Sequence, residues 1–294
     1  MKNLTHKRSD FFSKVFNSYK AEESAFITSF EVYLDKGQEN FKHTVILFGE
    51  ETVKEYDIIA IFKMVKAYYI SKSVLEFERT KKYSVLLKGY LFYVYYQVMH
   101  YNNDKFAPSI LGTDLSLLLM FTLTYFPDET DKIGKQLIKF LIFHKEKAKY
   151  SIESTGDFGL SNIVHLSSFL AGHYQKKTLS VQIKSFCSNS IEPCYLKAIE
   201  NLYSNDEKVV GEWVDDMINF HLRNSKNDLK LPFNNEEWQY FPIEILSMLE
   251  LRVRKGLKIN FIKNKLLDDF IPLLGNESPI ELNDDLKKLR SRLS

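Results

Sequence analysis

The sequence predicts an all-α protein, built as a layered array of antiparallel amphipathic helices in two closely packed lobes. Its 294 residues include only 11 glycines and 7 prolines, a share too small for a turn-rich β fold. Apolar residues recur at three- and four-residue spacing through most of the chain, as they do on one face of a helix. Only Leu257, Ile259 and Phe261 alternate in the manner of a strand, and this run is too short to predict one.

The first predicted lobe, residues 1–150, consists of helices that this spacing defines. The stretch 81–101 is apolar almost all round, which predicts a central, buried helix. Asp114 has the side chain of an N-cap and is placed at the start of a helix. Helices are predicted from Ser9 towards Gly37, over 56–77, over about 81–101, from Asp114 to before Pro127, and from Asp128 or Thr130 to Ile142.

The second predicted lobe, residues 151–294, contains shorter helices. The segment 150–159, with two glycines and several small polar residues, is the predicted hinge between the lobes. Gly256 and Gly275 are placed as the C-terminal ends of helices. Helices are predicted at about 160–173, 178–187, 193–203, 206–223, 236–255, 261–273 and 282–292, with a polar loop at 223–232.

The charge of the chain disfavours nucleic acid as a ligand. Forty Lys and Arg against 38 Asp and Glu give a net charge of +2, and only seven of the forty are Arg. Nucleic-acid modules use clustered positive charge and Arg side chains. No apolar signal segment follows the N-terminus, and the apolar runs 85–99 and 110–126 are interrupted by Lys88, Gln97 and Asp114. These features predict a cytoplasmic protein without a membrane partner.

No motif for catalysis, metal binding or cofactor binding is found in the sequence. Glycine-rich phosphate loops and nucleophile elbows are absent. His165 and His173, eight residues apart, could share a helix face, but no third ligand stands at a recognised spacing. Cys187 and Cys194 are predicted to be free buried thiols of a reducing compartment. The chain is therefore predicted not to be an enzyme and to need no cofactor or metal.

The aromatic content, 14% of the chain, allows two interpretations. Aromatic residues at helical spacing usually fill the core between stacked helices. On an exposed face they would instead form a groove for a peptide or partner helix. The residues concerned, all in one predicted helix, are Tyr90, Phe92, Tyr93, Tyr95, Tyr96 and Tyr101.

The C-terminal part of the chain resembles bacterial immunity proteins. The similarity rests on Trp238–Leu249 (WQYFPIEILSML), Arg254–Ile259 (RKGLKI) and Leu266–Pro272 (LLDDFIP). It is greatest to immunity family 49 of polymorphic-toxin systems, in which a helix that opens on a proline ends at a glycine before a final helix. The segment also resembles the immunity partners of PoNe-type DNase toxins, but Gly256-Leu257-Lys258 replaces their acidic pair.

Several residues of this segment have expected structural roles. Pro242 suits the first turn of a helix, and Glu244 stands near the positive end of that helix dipole. Glu244 is expected to anchor a local hydrogen bond rather than to catalyse a reaction. The predicted structural set is Trp238, Tyr240, Pro242, Glu244 and Gly256.

The resemblance implies a protein that binds a cognate toxin, encoded by a neighbouring gene, and neutralises it by occluding or locking the toxin's active site. A nuclease effector is one expected target, and its basic phosphate-binding face would match an acidic patch. The alternative is a helical-repeat adaptor or regulatory scaffold that binds a peptide or partner helix; an unrecognised enzyme is third. The predicted toxin-binding residues are Asp206, Glu207, Glu212, Asp215, Asp216, Glu236 and Glu237.

Overall fold

A computed structural model describes residues 2–21, 24–102, 112–147, 163–187, 191–228, 231–275 and 280–293. Apart from one two-stranded antiparallel hairpin, every regular element in these ranges is a helix, which confirms the all-α prediction. Contacts between residues in space divide the chain into a first unit, residues 1–106 with 278–294, and a second unit, residues 107–277.

The helices and strands have the following bounds in chain order. They are α1 (Lys2–Ala21), α2 (Ser24–Lys36), β1 (Asn40–Leu47), β2 (Glu50–Asp57), α3 (Ile58–Thr80), α4 (Tyr83–Asn102), α5 (Gly112–Tyr125), α6 (Thr130–Lys147), α7 (Ile163–His173), α8 (Lys177–Lys184), α9 (Pro193–Asn201), α10 (Glu207–Arg223), α11 (Glu236–Tyr240), α12 (Ile243–Arg254) and α13 (Asp284–Arg292). Short 3₁₀ helices occupy Pro127–Glu129 and Ile271–Leu273.

Helices α3 and α4 form the centre of the first unit. Asp57 starts α3 by accepting a hydrogen bond from the Ala60 amide at 2.8 Å, as an N-cap does. The rings of Tyr69 and Phe92 stack across the two helices with centroids 3.9 Å apart. Five of the six aromatic residues predicted for a groove lie in the core. Those that are buried are Tyr90, Phe92, Tyr93, Tyr95 and Tyr96.

The hairpin of β1 and β2 is a correction to the sequence prediction, which places no strand at 40–57. The two strands pair along their whole length, from Asn40 opposite Asp57 to Leu47 opposite Glu50. Nearly all of β2 is exposed, so its residues lack the alternation that reveals a half-buried strand. Phe48 and Gly49 form the turn with φ of 54° and 87°, a conformation that sequence reasoning expects of Asn-Gly or Asp-Gly.

The second unit is built around α5, of which nearly every residue is buried. Helix α5 packs against α6, α7 and α12. The observed division therefore differs from the predicted boundary at residue 150, because α5 and α6 share their core with later helices. Likewise α13 belongs to the first unit, where it packs on α2 and α4. The predicted hinge at 150–159 lies outside the described residues.

Three predicted helix boundaries are wrong in the second unit. The helix at 236–255 is two helices, α11 and α12, because Pro242 has no amide hydrogen to continue the ladder. Residues 261–273 form turns and a short 3₁₀ helix instead of an α-helix. Asp114 lies inside the first turn of α5 and does not precede it.

The two glycines predicted at helix ends both have the positive φ angle of a helix-terminating glycine. Gly256 follows α12 with φ of 73°, and Gly275 follows the second 3₁₀ helix with φ of 76°. The amides of Gly256 and Leu257 donate to the carbonyls of Val253 and Arg252 at 2.8 and 3.0 Å. This arrangement satisfies the last carbonyls of α12 in the way a glycine-terminated helix does.

Candidate functional site

A charged surface of the second unit lies along α9 and α10. An open groove of about 790 Å³ runs beside these helices and is lined by Glu192, Cys194, Lys197, Asp216 and Arg223 among others. We call this surface, together with the acidic side chains on the exposed side of α10, the α9–α10 face.

Helix α10 is amphipathic, which is why its acidic residues point outwards. Asp206 caps its N-terminus and accepts from the amides of Lys208 at 2.9 Å and Val209 at 3.3 Å. Val210, Trp213, Val214 and Met217 form its buried side at three- and four-residue spacing. The opposite side carries the acidic residues Glu207, Glu212, Asp215 and Asp216.

Lys197 of α9 lies between two of these carboxylates. Its Nζ is 2.9 Å from Oδ2 of Asp216 and 3.3 Å from Oε2 of Glu212. The hydrogen bond to Asp216, assisted by Glu212, raises the pKa of Lys197, so the ammonium stays charged. The contact ties α9 to α10 and neutralises only part of the acidic charge, because Glu207 and Asp215 remain exposed.

The predicted toxin-binding residues lie on two helices. Five of them belong to α10 or its cap, whereas Glu236 and Glu237 begin α11. Glu236 accepts a hydrogen bond from Nδ2 of Asn227 at 2.7 Å, which places it beyond the C-terminal end of α10. Over the length of α10 this end lies about 24 Å from Glu207, given 1.5 Å of rise per residue.

The residues predicted to be structural lie in the core of the second unit or at its edges. Trp238 is fully buried, and its Nε1 donates to Oδ1 of Asp114 at 3.0 Å. Asn235 caps α11 and also donates to Asp114, at 3.0 Å. Pro242 directly precedes α12, and the ring of Tyr240 lies edge-on to Phe270. Asp114, which the sequence predicted only as a helix cap, therefore binds two side chains of the C-terminal part of the chain.

Glu244 forms a hydrogen bond with a different helix rather than within its own turn. Its Oε1 lies 2.7 Å from Nδ1 of His221 on α10, and both side chains are buried. His221 Nε2 lies 3.3 Å from the carbonyl of Gln239. Sequence reasoning missed His221, although its position eight residues after Trp213, two helical turns along, places it on the buried side of α10.

The two cysteines have raised pKa values. Burial raises the pKa of Cys187 to about 11 and that of Cys194 to about 12. Both thiols are free and stay protonated near neutral pH, which makes them poor nucleophiles.

His165 and His173 both line a second cleft, which is formed by α7, α8 and α9. In the described part of the chain, no three side chains of His, Cys, Asp or Glu converge as metal ligands would.

Comparison with protein-family models, with curated proteins and with solved structures finds no match to this chain. The resemblance to immunity proteins stays a prediction from the sequence. Of the helices in the described ranges, none combines the length and the apolar content that crossing a lipid bilayer requires.

Proposed function

We propose that this protein binds a cognate bacterial toxin domain, encoded by a neighbouring gene, and neutralises it in the cytoplasm by occluding or locking its active site. The observation that carries the proposal is the α9–α10 face, where a groove and a row of exposed carboxylates lie side by side. The likeness of residues 238–272 to immunity proteins supplies the class of partner.

The electrostatics of the α9–α10 face suit a basic partner. Asp215 and Glu207 are exposed and form no ion pair with the described residues, so they can approach cationic groups without first losing such a partner. Lys197 is already held by Asp216 and Glu212 and does not repel such groups as a free lysine would. A nuclease must present positive charge to phosphates, and complementary charge accelerates association and fixes the orientation of the partner.

The alternative, a peptide-binding adaptor with an aromatic groove, has less support. Its groove would require exposed aromatic side chains at the surface of one helix. Five of the six aromatic residues predicted for that groove are buried in the first unit, between 0% and 7% exposed. The aromatic residues of α4 therefore serve the core, and the acidic face of α10 is the better candidate for contact with a partner.

Reversing the charge of two neighbouring acidic residues tests the proposal. The variant Asp215→Lys with Asp216→Lys should weaken the complex with the toxin by about tenfold. The difference in affinity between the variant and the parent should be smaller at high salt, because salt screens the attraction between the acidic residues and the toxin. Binding is measured as dissociation rates at two salt concentrations, and protection is measured as growth when toxin and protein are expressed together.

The control reverses Glu50 and Glu51, an exposed acidic pair on β2 in the first unit. It should bind and protect like the parent, and circular dichroism should show unchanged helix content in both variants. An unchanged dissociation rate for the Asp215 and Asp216 variant would remove these residues from the interface. Absence of toxicity in every neighbouring gene product would contradict the immunity function itself.

A further inference from the structure

A second cleft lies in the second unit, on the side of α9 away from the α9–α10 groove. It has a volume of about 390 Å³, within the range of small-molecule sites in proteins. Helix α7 contributes Phe169 and His165, α8 contributes Lys184, and α9 contributes Leu196 and Ile199. Leu196 and Ile199 face this cleft, whereas Cys194 and Lys197 of the same helix line the charged groove.

Small residues let α7 and α8 approach closely at the base of the cleft. The Ser168 hydroxyl donates to the carbonyl of Ser180 at 2.8 Å. A Cβ atom at Gly172 would lie 3.2 Å from Oγ of Ser180, tighter than an ordinary contact. The base is thus fixed by the α7–α8 packing, while the apolar side chains of Phe169, Leu196 and Ile199 form the walls.

The ionisable residues that line the cleft are all basic. They are His165, His173 and Lys184, and none of the other described residues that line the cleft is an Asp or a Glu. Burial, together with the charge of Lys184, lowers the pKa of His165, so its ring is neutral and retains one N–H donor.

Lys184 supplies the charge at this site. Its side chain is exposed at the C-terminal end of α8, and within the described ranges it makes no ion pair. Lys184 and His165 both line this cleft. A cleft with apolar walls that also contains a cation and a neutral N–H donor matches a carboxylate attached to an apolar chain.

We propose that the cleft of α7, α8 and α9 binds a small amphipathic carboxylate, with its apolar chain against Phe169, Leu196 and Ile199 and its carboxylate between Lys184 and His165. The site is separate from the α9–α10 face, and the proposal does not depend on the proposed function. Binding of the acid is expected to stabilise the second unit, because a ligand that binds only the folded state raises its stability.

Calorimetric titration of the full chain with three probes of equal chain length tests the chemistry of the ligand. The probes are sodium octanoate, octanol and octylammonium chloride, at a pH where octanoate and octylammonium are both charged. Octanoate should bind one equivalent and bind more tightly than the other two. Absence of saturable octanoate binding, or binding of octanol or octylammonium as tight as that of octanoate, would overturn the proposal.

Three single-residue variants test whether octanoate binds in this cleft. Lys184→Gln should weaken octanoate binding roughly tenfold, because a charge-assisted hydrogen bond is lost. Lys177→Gln, at the exposed start of the same helix and outside the cleft, should bind like the parent. Leu196→Trp, at a position 43% exposed and therefore tolerant of a larger side chain, should obstruct the cleft and abolish binding. Parent-like affinity in folded Lys184→Gln or Leu196→Trp would place the acid elsewhere and refute the site.

Discussion

At the scale of single residues, the second unit depends on a buried cation that pairs with no carboxylate in the described part of the chain. Arg252 of α12 is 2% exposed. Its guanidinium donates to the carbonyls of Leu202 and Ser204, which follow α9, and of Lys258, which follows α12. Carbonyl dipoles thus replace the water that the charge loses on folding. The guanidinium fixes two chain segments that have no regular structure of their own.

Replacement of Arg252 by Met should therefore destabilise the protein strongly. The methionine keeps the apolar stem but leaves three carbonyls without their donor, which should lower the free energy of unfolding by about 3 kcal/mol. Arg223→Met is the control, since Arg223 is exposed and, among the described residues, donates only to Asn219 of its own helix; its effect should stay within about 0.5 kcal/mol. Urea denaturation measures the free energy of unfolding of each variant. An equal loss in the two variants would contradict this role of Arg252.

At the scale of helices and strands, local sequence signals are strongest where one side of an element is buried and the other is exposed. Helix α10 satisfies this condition, and its predicted bounds of 206–223 differ from the observed ones by one residue. Strand β2 has no buried side, because it is exposed on both faces, and its sequence therefore gives no strand signal. Helix α4 is buried almost all round, so its sequence predicts a central position but not which helix it meets. Its contact with α3 depends on one glycine.

A substitution at Gly89 on α4 tests that contact. Its added Cβ would overlap the side chain of Ser73 on α3 and lie 3.3 Å from the Tyr69 carbonyl. Gly89→Ala should thus lower the free energy of unfolding by about 2 kcal/mol through overpacking, although alanine normally favours helices. Thermal and urea unfolding give the measurement, and Ser73→Gly in the same chain should restore part of the loss.

The control for this prediction is Gly211→Ala on α10. Nothing lies within 4 Å of a Cβ at Gly211, so the ordinary helix propensity should prevail and raise stability by about 0.5 to 1 kcal/mol. The two glycine substitutions should therefore have opposite signs. Stabilisation by Gly89→Ala would show that α3 and α4 do not meet as closely as described.

At the scale of the whole molecule, contacts between distant parts of the sequence decide the organisation of each unit. Helix α13 completes the first unit by packing on α2 and α4. Leu286 and Leu289 are fully buried there, and Nζ of Lys288 lies 2.6 Å from Oδ1 of Asp35. Periodicity predicts that α13 buries one face, but it carries no information about which helix receives that face.

Stability should depend on three histidines spread over both units. Burial lowers the pKa of His43, His165 and His173, whereas an unfolded chain has a histidine pKa of about 6.5. Below that pH the unfolded state takes up protons that the folded state resists, so the free energy of unfolding falls as the pH falls through this range. The melting temperature should decrease between about pH 7.5 and about pH 5.5.

The triple variant with Gln at these three positions should show a smaller decrease over the same interval. Ordinary carboxylates titrate below this range, so they contribute little to the difference between the variant and the parent. Calorimetric scans at both pH values measure the effect. An equal decrease in the triple variant and in the parent would show that these histidines do not govern the pH dependence.

The candidate site was predictable only in part. The outward direction of Asp215 and Glu207 follows from the apolar spacing of Val210, Trp213 and Met217, which a sequence displays directly. The ion pairs of Lys197 with Asp216 and Glu212 cannot be predicted from this spacing, because they join two helices. The position of Glu236 beyond the C-terminal end of α10 is likewise not predictable, because it depends on the path of the chain after residue 223.

The sequence by itself determined the all-α class, the buried side of α10 and the central character of α4, because helix periodicity and residue type act within a few turns of chain. Only the tertiary structure decided the partner of Asp114, the contact of His221 with Glu244, and the membership of α13 in the first unit. Each of these joins residues that are far apart in the chain, and a local pattern specifies which face is buried but not what covers it.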